Sequence, residues 1–487
     1  MCGIIGLYGK EDVVEKTIAS LIAIQHRGQD SCGVYSLDGD KVNKKKCKGL
    51  VSENRYKAVD GAVTNSFSNL KGNVALGHVR YATIGDSSIE NAQPFYSDSG
   101  VSLCHNGNVT NVKQLKEELR NAVPRRHVNS DCDADILLKV FVDELSKYDI
   151  GKITVGQIFD SIRKLMDRVD GSYSALAIIN DIGFVAFRDP YGIKPIVFGK
   201  KDSEQIYGFS SESVAFDSVG LEIIDNLKPG EAIFIDKEMK VHRKSIKQQE
   251  HRPCVFEYIY FALPSSVIDN KSVYEARFQL GKLLGEEWNK ISEKKGLKAD
   301  VVCEVPTTAF TAAQGFSEVT GIPYASGIIR NNYIYRSFIN PDQKSREKTV
   351  DLKLLLNKAA IEGKNVVVID DSIVRGTTSK KIVRRLKDVG AKKVYLCSSA
   401  PPIICPCVYG IDMSVKQELI AAEKTIEEIR KFTGADELFY QSIENLRKAL
   451  PEFNFCDACF SGKYPTNISI EQLKEIENER IKIRGMN

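Results

Sequence analysis

The sequence predicts two α/β units in one chain, the first built on stacked sheets with helices outside and the second on a parallel sheet. Three observations lead there. The 487 residues exceed what one ordinary core organises and suit two or three domains. Short β-type runs punctuated by Gly and Asn recur through the first 230 or so residues: GIIGLYG, NVALGHVRYATI, VSLCHNGNV, SALAIIN and GFVAFRDP. From about residue 272 the order becomes strand, loop, helix, strand, which is a βαβ unit and implies parallel pairing.

Taken in order, helical patterns at 12–26 and 133–148 interrupt the early strands, so the sheets carry helices on their outer faces. Gly230 to His251, with EAIFID and KVHR, reads as a last hairpin, and the chain crosses to the next unit around Arg252 and Pro253. The expected division is 2–250 for the first unit, 251–465 for the second and 466–487 for a helical tail. In the second unit a helix from Tyr274 to Lys295 leads into the strand VVCEVP, followed later by VVVID at 366–370, a loop, a helix from Ser379 to Val389 and the strand KVYLCSS. Ile382, Val383, Leu386 and Val389 share one helical face, and Gly390 stands where a helix-ending glycine belongs. Ile470 to Arg484 is a charged amphipathic helix.

Composition narrows the classes. Hydrophobic residues are 43% and charged residues 27%, the balance of a globular protein, and the net charge of +4 gives no reason to expect nucleic acid or an acidic membrane surface. No apolar run approaches the roughly 18 residues of a membrane span. MCGIIGLYGK has no secretory or organellar lead, so a cytoplasmic location is expected. Twelve cysteines in such a chain are not read as a disulfide framework. Cys303 and Cys397 sit in apolar strands, whereas Cys2, Cys254, Cys407, Cys456 and Cys459 have different surroundings.

VVVIDDSIVRGTTS, residues 366–379, is the strongest local signal. An apolar strand ends in Asp370 and Asp371; Ser372, Arg375 and Gly376 form a short loop; Thr377, Thr378 and Ser379 open a helix. Backbone N–H groups at a helix start, with hydroxyls beside them and a glycine permitting close approach, bind a phosphate. Paired carboxylates at the carboxyl edge of a parallel sheet accept hydrogen bonds from vicinal sugar hydroxyls. The motif resembles the phosphoribosyl pyrophosphate signature of the type I phosphoribosyltransferases. That resemblance implies ribose contacts from Asp370 and Asp371, a 5′-phosphate on residues 374–379, and Mg²⁺ near Asp370, Asp371 and Thr308 (beside Thr307 in VPTTA). RNNYIYRSFINPDQKSREKTV, 330–350, is either a solvated loop or a lid that closes Tyr333, Arg336 and Lys348 on pyrophosphate. Asp351 stands where that family often has arginine.

At the other end, removal of Met1 would leave Cys2 with a thiol and an α-amine on one residue. An amine with a reference pKa of about 7.7–8.0 can serve as base to the adjacent nucleophile. MCGIIGLYG, QHRGQDSCG, GHVRYATIG and HNGNVTN follow in order within the first 112 residues and resemble the glutaminase domain of the class II, N-terminal nucleophile amidotransferases, whose fold is αββα. The resemblance implies Cys2 as nucleophile and Arg27, in the loop beside it with Gly28, as a glutamine-binding residue. It implies Arg80 on the glutamine carboxylate and Asp133 on its ammonium, with Asp131 and Asp135 two residues away on either side. The side chain of Asn106 and the backbone N–H of Gly107 would form the oxyanion hole.

A glutaminase unit ahead of a phosphoribosyl site is similar to the glutamine phosphoribosylpyrophosphate amidotransferase family over nearly the whole chain, including the connectors RDPYGIKP, EYIYFALP, YGID and ELIA. This implies transfer of the glutamine amide nitrogen to phosphoribosyl pyrophosphate at the opening of purine biosynthesis, purine nucleotides as feedback inhibitors, and a homotetramer or dimer. Lys194 replaces an arginine usual in RDPYGIKP. Cys254, Cys407, Cys456 and Cys459 match positions that hold a [4Fe–4S] cluster in one branch of the family. Four thiolates suit that cluster or Zn²⁺, and Cys405 is an extra thiol nearby. Two alternatives come from other classes. An amidotransferase acting on a different sugar phosphate would lack VVVIDDSIVRGTTS. A regulator that senses phosphoribosyl pyrophosphate would not need Cys2 with Asn106 and Gly107.

Overall fold

A strand that opens the chain has apolar residues on both faces, Ile4 and Tyr8 on one and Ile5 and Leu7 on the other, and so must be covered twice. The computed structural model of the chain, which describes all residues except 60–61, 82–87, 123–125, 129, 332–353, 414 and 484–487, places this strand, Gly3–Tyr8, inside a seven-stranded antiparallel sheet. Its neighbours are Ile206–Ser210 and Val74–Arg80, with Ser31–Asp38 beyond. Ile5 and Leu7 meet Val14, Ile18 and Leu21 of the outer helix Val14–Ala23. Ile4 and Tyr8 face a second, six-stranded antiparallel sheet across Leu176, Phe184 and Ile233. That sheet includes Val101–Val109, Gly171–Ile179 and Gly183–Arg188, and its far side is covered by helices Asp133–Leu145 and Val155–Arg168. The layers are therefore αββα, as the resemblance implied. The hairpin expected after Gly230 is the antiparallel pair Glu231–Asp236 and Val241–Ser245.

The second unit centres on a parallel sheet in the order Val301–Glu304, Asn365–Asp370, Lys393–Ser398, Glu437–Tyr440. Helices Val273–Lys295 and Phe310–Thr320 cover one face through Leu284, Trp288 and Phe316; Thr377–Asp388 and Ile426–Thr433 cover the other through Ile382, Leu386 and Ile429. The first two of these helices cross at glycines. A Cβ on Gly281 would stand 2.0 Å from the Ala312 carbonyl oxygen, and one on Gly315 would stand 2.1 Å from that of Phe278.

Two helix limits differ from expectation. The pattern at 12–26 ends as an α-helix at Ala23, after which Gln25–Arg27 tighten into a single 3₁₀ turn. The helix expected from Ser379 begins at Thr377, because Gly376 takes φ 71° and turns the chain into the helix two residues earlier. No helix among the described residues is long and apolar enough to cross a membrane.

The two units share one core. Ile5, Leu21 and Phe216 of the first are continuous with Phe256, Tyr258, Tyr409 and Phe455 of the second. Fully buried Arg188 bonds Asp269 at 2.6 and 2.9 Å, which fixes the crossing segment to the first unit.

Candidate active site

Cys2 lies at the start of the central strand, half-buried, with its backbone nitrogen 3.4 Å from the side-chain oxygen of Asn106. Asn106 sits on Val101–Val109, a strand that reaches under the nucleophile, and its side-chain Nδ2 is buried without a hydrogen-bond partner. A buried unpaired donor costs about 1–3 kcal/mol, so its retention beside a thiol is suited to an oxygen that arrives with the substrate. Gly107 follows with φ 152°, and a Cβ there would lie 2.0 Å from the Ser172 carbonyl oxygen. The Cys2 thiol itself lies 3.8 Å from the Tyr81 carbonyl oxygen.

Arg80, at the end of Val74–Arg80, and Asp133, in the first turn of its helix, are both buried close to this pair. Burial alone would raise the Asp133 carboxyl. His105 at 3.3 Å, the Val109 N–H at 3.0 Å and the charge of Arg80 instead hold it below the usual carboxylate range. Its neighbours point elsewhere: Asp131 is exposed and pairs with Lys116, and Asp135 accepts from the Ser130 N–H. Of the three, Asp133 is the one held against the strand that carries Asn106, through His105 and Val109.

Arg27 requires a correction. It is fully buried, and its guanidinium is taken up by Glu212 and by Glu257 at 2.7 and 3.0 Å, while its Nε donates to the Cys2 carbonyl at 3.0 Å. It does not offer its charge to a ligand; it anchors the nucleophile strand to the junction. Glu212 also accepts from the Leu263 N–H at 2.9 Å and the Ser266 hydroxyl at 2.7 Å, and pairs with His26 at 2.8 Å. Sequence reasoning passed over Glu212 and Glu257, which no local motif distinguishes.

A cleft of about 610 Å³ runs from this junction to the edge of the parallel sheet. Its floor is the 366–379 motif: Asp370, Asp371, Ser372, Arg375, Gly376, Thr377, Thr378 and Ser379 all line it, as does Thr308. The Thr308 hydroxyl donates to Asp371, and Thr307 lines the same cleft; Ser372 donates to the same carboxylate at 2.6 Å. No side chain caps the helix Thr377–Asp388, so its first N–H groups face the cleft. Burial raises both carboxyls, and the charge of Asp371 pushes Asp370 well above the usual range. Arg375 pairs with Glu418 at 2.5 Å at the rim. Arg330 and Arg277 add cations that the sequence reading did not single out. Tyr333, Arg336 and Lys348, with Asp351, fall outside the described residues.

The opposite end of the same cleft is lined by His26, Gln29 and Tyr81 of the first unit, and its wall by Phe256, Tyr260, Phe261 and Leu263. Tyr81 donates to Asp412 at 3.1 Å, linking the nucleophile end to the YGID connector.

Cys254, Cys407, Cys456 and Cys459 come from three segments into the shared core, each buried. Cys254 and Cys456 are bridge partners, and the Ile404 N–H donates to the Cys459 carbonyl at 2.9 Å. Burial raises three of these thiols, Cys254 to about 11 and Cys456 and Cys459 well above the usual range. Cys405 is only half-buried and stands outside the group. Among the described residues no three of His, Cys, Asp and Glu are arranged to hold a metal ion by themselves. Lys194 lies beside this group, fully buried, and its Nζ meets Met1 Sδ at 2.8 Å.

Comparison with known proteins agrees with both ends of the cleft. Residues 78–218 match a glutamine amidotransferase domain and residues 281–403 a phosphoribosyl transferase domain. The amidophosphoribosyltransferase of Escherichia coli is 41% identical over 478 residues, covering 96% of this chain and 93% of that protein. That of Bacillus subtilis is 39% identical over 96% of this chain and 94% of its own. A solved glutamine phosphoribosylpyrophosphate amidotransferase from B. subtilis, complexed with ADP and GMP, superposes with a TM-score of 0.83 at 37% identity, covering 96% of this chain and 98% of that one. The chain belongs to the amidophosphoribosyltransferase family.

Proposed function

We propose that the two ends of the cleft run the family's reaction as two coupled halves. The chain transfers the amide nitrogen of glutamine to phosphoribosyl pyrophosphate, giving 5-phosphoribosylamine, glutamate and pyrophosphate, the first committed step of purine biosynthesis. The observation that carries the assignment of residues is the continuous cleft between Tyr81, whose carbonyl neighbours the Cys2 thiol, and the carboxylate pair Asp370–Asp371. A family match over nearly the full length sets aside both the other amidotransferase and the regulator.

With Met1 removed, the Cys2 amine takes the thiol proton and the thiolate attacks the glutamine amide carbon. Asn106 Nδ2 and the Gly107 N–H receive the developing oxyanion, while Arg80 and Asp133 hold the substrate's carboxylate and ammonium. The amine returns its proton to the departing nitrogen, and water then releases glutamate from the thioester. Ammonia passes along the Phe256–Leu263 wall and attacks C1 of the sugar, displacing pyrophosphate. Asp370 and Asp371 orient the ribose, and Ser372, Arg375, Gly376, Thr377, Thr378 and Ser379 hold the 5′-phosphate. On the resemblance, Tyr333, Arg336 and Lys348, which lie outside the described residues, would contribute to binding the pyrophosphate.

Two adjacent buried carboxyls held above their usual range fit a divalent cation, with Thr308 as a third oxygen donor. Asp370, Asp371 and Thr308 would hold Mg²⁺, which would supply charge to offset the leaving pyrophosphate. The four buried thiols of Cys254, Cys407, Cys456 and Cys459 would hold a soft, thiolate-ligated group, for which we favour [4Fe–4S] over Zn²⁺, and which would tie segments 253–257, 404–407 and 456–459 together. The complex of the B. subtilis relative with ADP and GMP supports feedback by purine nucleotides. A homotetramer or dimer in the cytoplasm, divided at residues 250 and 465, completes the reading.

The test compares wild type with Cys2→Ala for glutamate release dependent on phosphoribosyl pyrophosphate, and supplies ammonia as alternative donor. The variant should lose glutamine use and keep ammonia use. Continued glutamine use by the variant, or glutamate release indifferent to the sugar diphosphate, would overturn the assignment.

A further inference from the structure

Lys194 is a fully buried lysine without a carboxylate partner. Among the described residues no carboxylate oxygen lies within 4.0 Å of its Nζ, and the one hydrogen-bonding atom it reaches is Met1 Sδ, a weak thioether acceptor. Its backbone is held firmly: the Lys194 carbonyl accepts from the Ser174 hydroxyl at 2.8 Å, and the adjoining Ile193 carbonyl accepts from the Cys254 N–H at 3.0 Å. The backbone at Lys194 is therefore fixed next to the segment that carries Cys254. The acidic groups around its nitrogen are Cys254, Glu257 and Cys407. Glu257 is already engaged by Arg27.

An ammonium removed from water with no counter-charge costs several kcal/mol, and folded chains keep such groups only where an anion compensates them. Among the described residues none pairs a carboxylate with it there. The removal of Met1 required for a Cys2 nucleophile would also take away the thioether contact. What remains beside the nitrogen is the four-thiol group, which becomes anionic once its cysteines ligate a metal centre.

We propose that Lys194 is the buried counter-cation of the group held by Cys254, Cys407, Cys456 and Cys459, stabilising the negative charge of its thiolate ligands. The inference rests on the thiolate-site reading above and deepens it. It assigns a charge-balancing role to a residue that touches neither substrate nor the reacting atoms. It also gives the N-terminal nucleophile and the thiol group a common neighbour.

The experiment uses the full chain purified and reconstituted without oxygen. Iron, acid-labile sulfide and zinc per chain are measured for wild type, Lys194→Met and Lys194→Arg, followed by the lifetime of the bound group in air and under a chelator. Wild type should carry the group. Lys194→Met, uncharged and of similar length, should lose it at least about tenfold faster, because deleting one partner of a buried charge pair is strongly destabilising. Lys194→Arg should keep it close to the wild-type lifetime. Lys194→Gln replaces the methionine variant if that one fails to fold. A Lys194→Met chain that holds the group as long as wild type, or a Lys194→Arg chain that loses it equally fast, overturns the proposal. Absence of iron, sulfide and zinc from wild type itself instead removes the thiolate-site reading, and the wild-type arm tells the two failures apart.

Discussion

Replacing Asn106 by alanine separates catalysis from stability at one side chain. The Nδ2 that the substitution removes is buried and unpaired, and such a donor costs the fold about 1–3 kcal/mol. The bond from the Cys2 nitrogen to Oδ1 is long, 3.4 Å, so its loss costs about 0.5–1 kcal/mol. The small void left behind costs about 1 kcal/mol more. These terms nearly cancel, and the variant should match wild type within about 1 kcal/mol in urea denaturation. Loss of one oxyanion donor, by contrast, lowers kcat by about 10²–10³, or about 2.7–4 kcal/mol. The assay is glutamate release at saturating phosphoribosyl pyrophosphate, run beside ammonia-supported phosphoribosylamine formation, which should not change. A loss below about tenfold in glutamine use, an equal loss in ammonia use, or destabilisation beyond about 3 kcal/mol would refute the reasoning and make Asn106 structural.

Asp371→Asn keeps an acceptor oxygen for only one of the Thr308 and Ser372 hydroxyls, offers an N–H donor to the other and loses the charge, and should lower kcat/KM for phosphoribosyl pyrophosphate by about 10- to 100-fold without changing fold stability by as much. Steady-state kinetics with ammonia as donor reads this. Gly281→Ala places a methyl 2.0 Å from the Ala312 carbonyl oxygen and should cost about 2–3 kcal/mol in urea denaturation, because two helices must separate. Burial, aided by Arg188, lowers His251 from 6.5 to about 4, so between those values the unfolded chain binds a proton that the folded chain does not. Stability should be level above about pH 7.5 and fall by roughly 3 kcal/mol as pH drops toward 4, and His251→Asn should flatten that fall in denaturation series at several pH values. Chelation of Mg²⁺ should abolish phosphoribosylamine formation from either nitrogen donor while basal glutaminase activity at Cys2 survives, as paired product assays would reveal.

What could be read along the chain was what is contiguous along the chain. Asp370, Asp371 and the Gly376–Ser379 loop stood out because strand, turn and helix start follow one another within 14 residues, and the cleft floor contains all of them. Asn106 and Gly107 were visible for the same reason. Arg27 was misread because its role is set by partners 185 and 230 residues away, and an arginine in a loop looks like a ligand-binding charge until those carboxylates are in place. The choice among Asp131, Asp133 and Asp135 needed the rotation of the helix that carries Asp133 and Asp135 about its axis, which periodicity leaves free. The helix start at Thr377 depended on the backbone angle of a single glycine.

The strand bearing Asn106 and Gly107 is not finished by its own unit. Asn108 donates to the Val408 carbonyl at 2.8 Å, Ser172 donates to the Tyr409 carbonyl at 3.2 Å, and Gly410 lies so close to Gly107 that a Cβ would stand 2.7 Å from its oxygen. The catalytic wall of the glutaminase is thus supplied in part by residues some three hundred positions downstream. The halves are consequently poor candidates for exchange as modules. A chimera that takes its amidotransferase part from this chain must also take the 404–413 segment, or the glutamine end will assemble with one side missing.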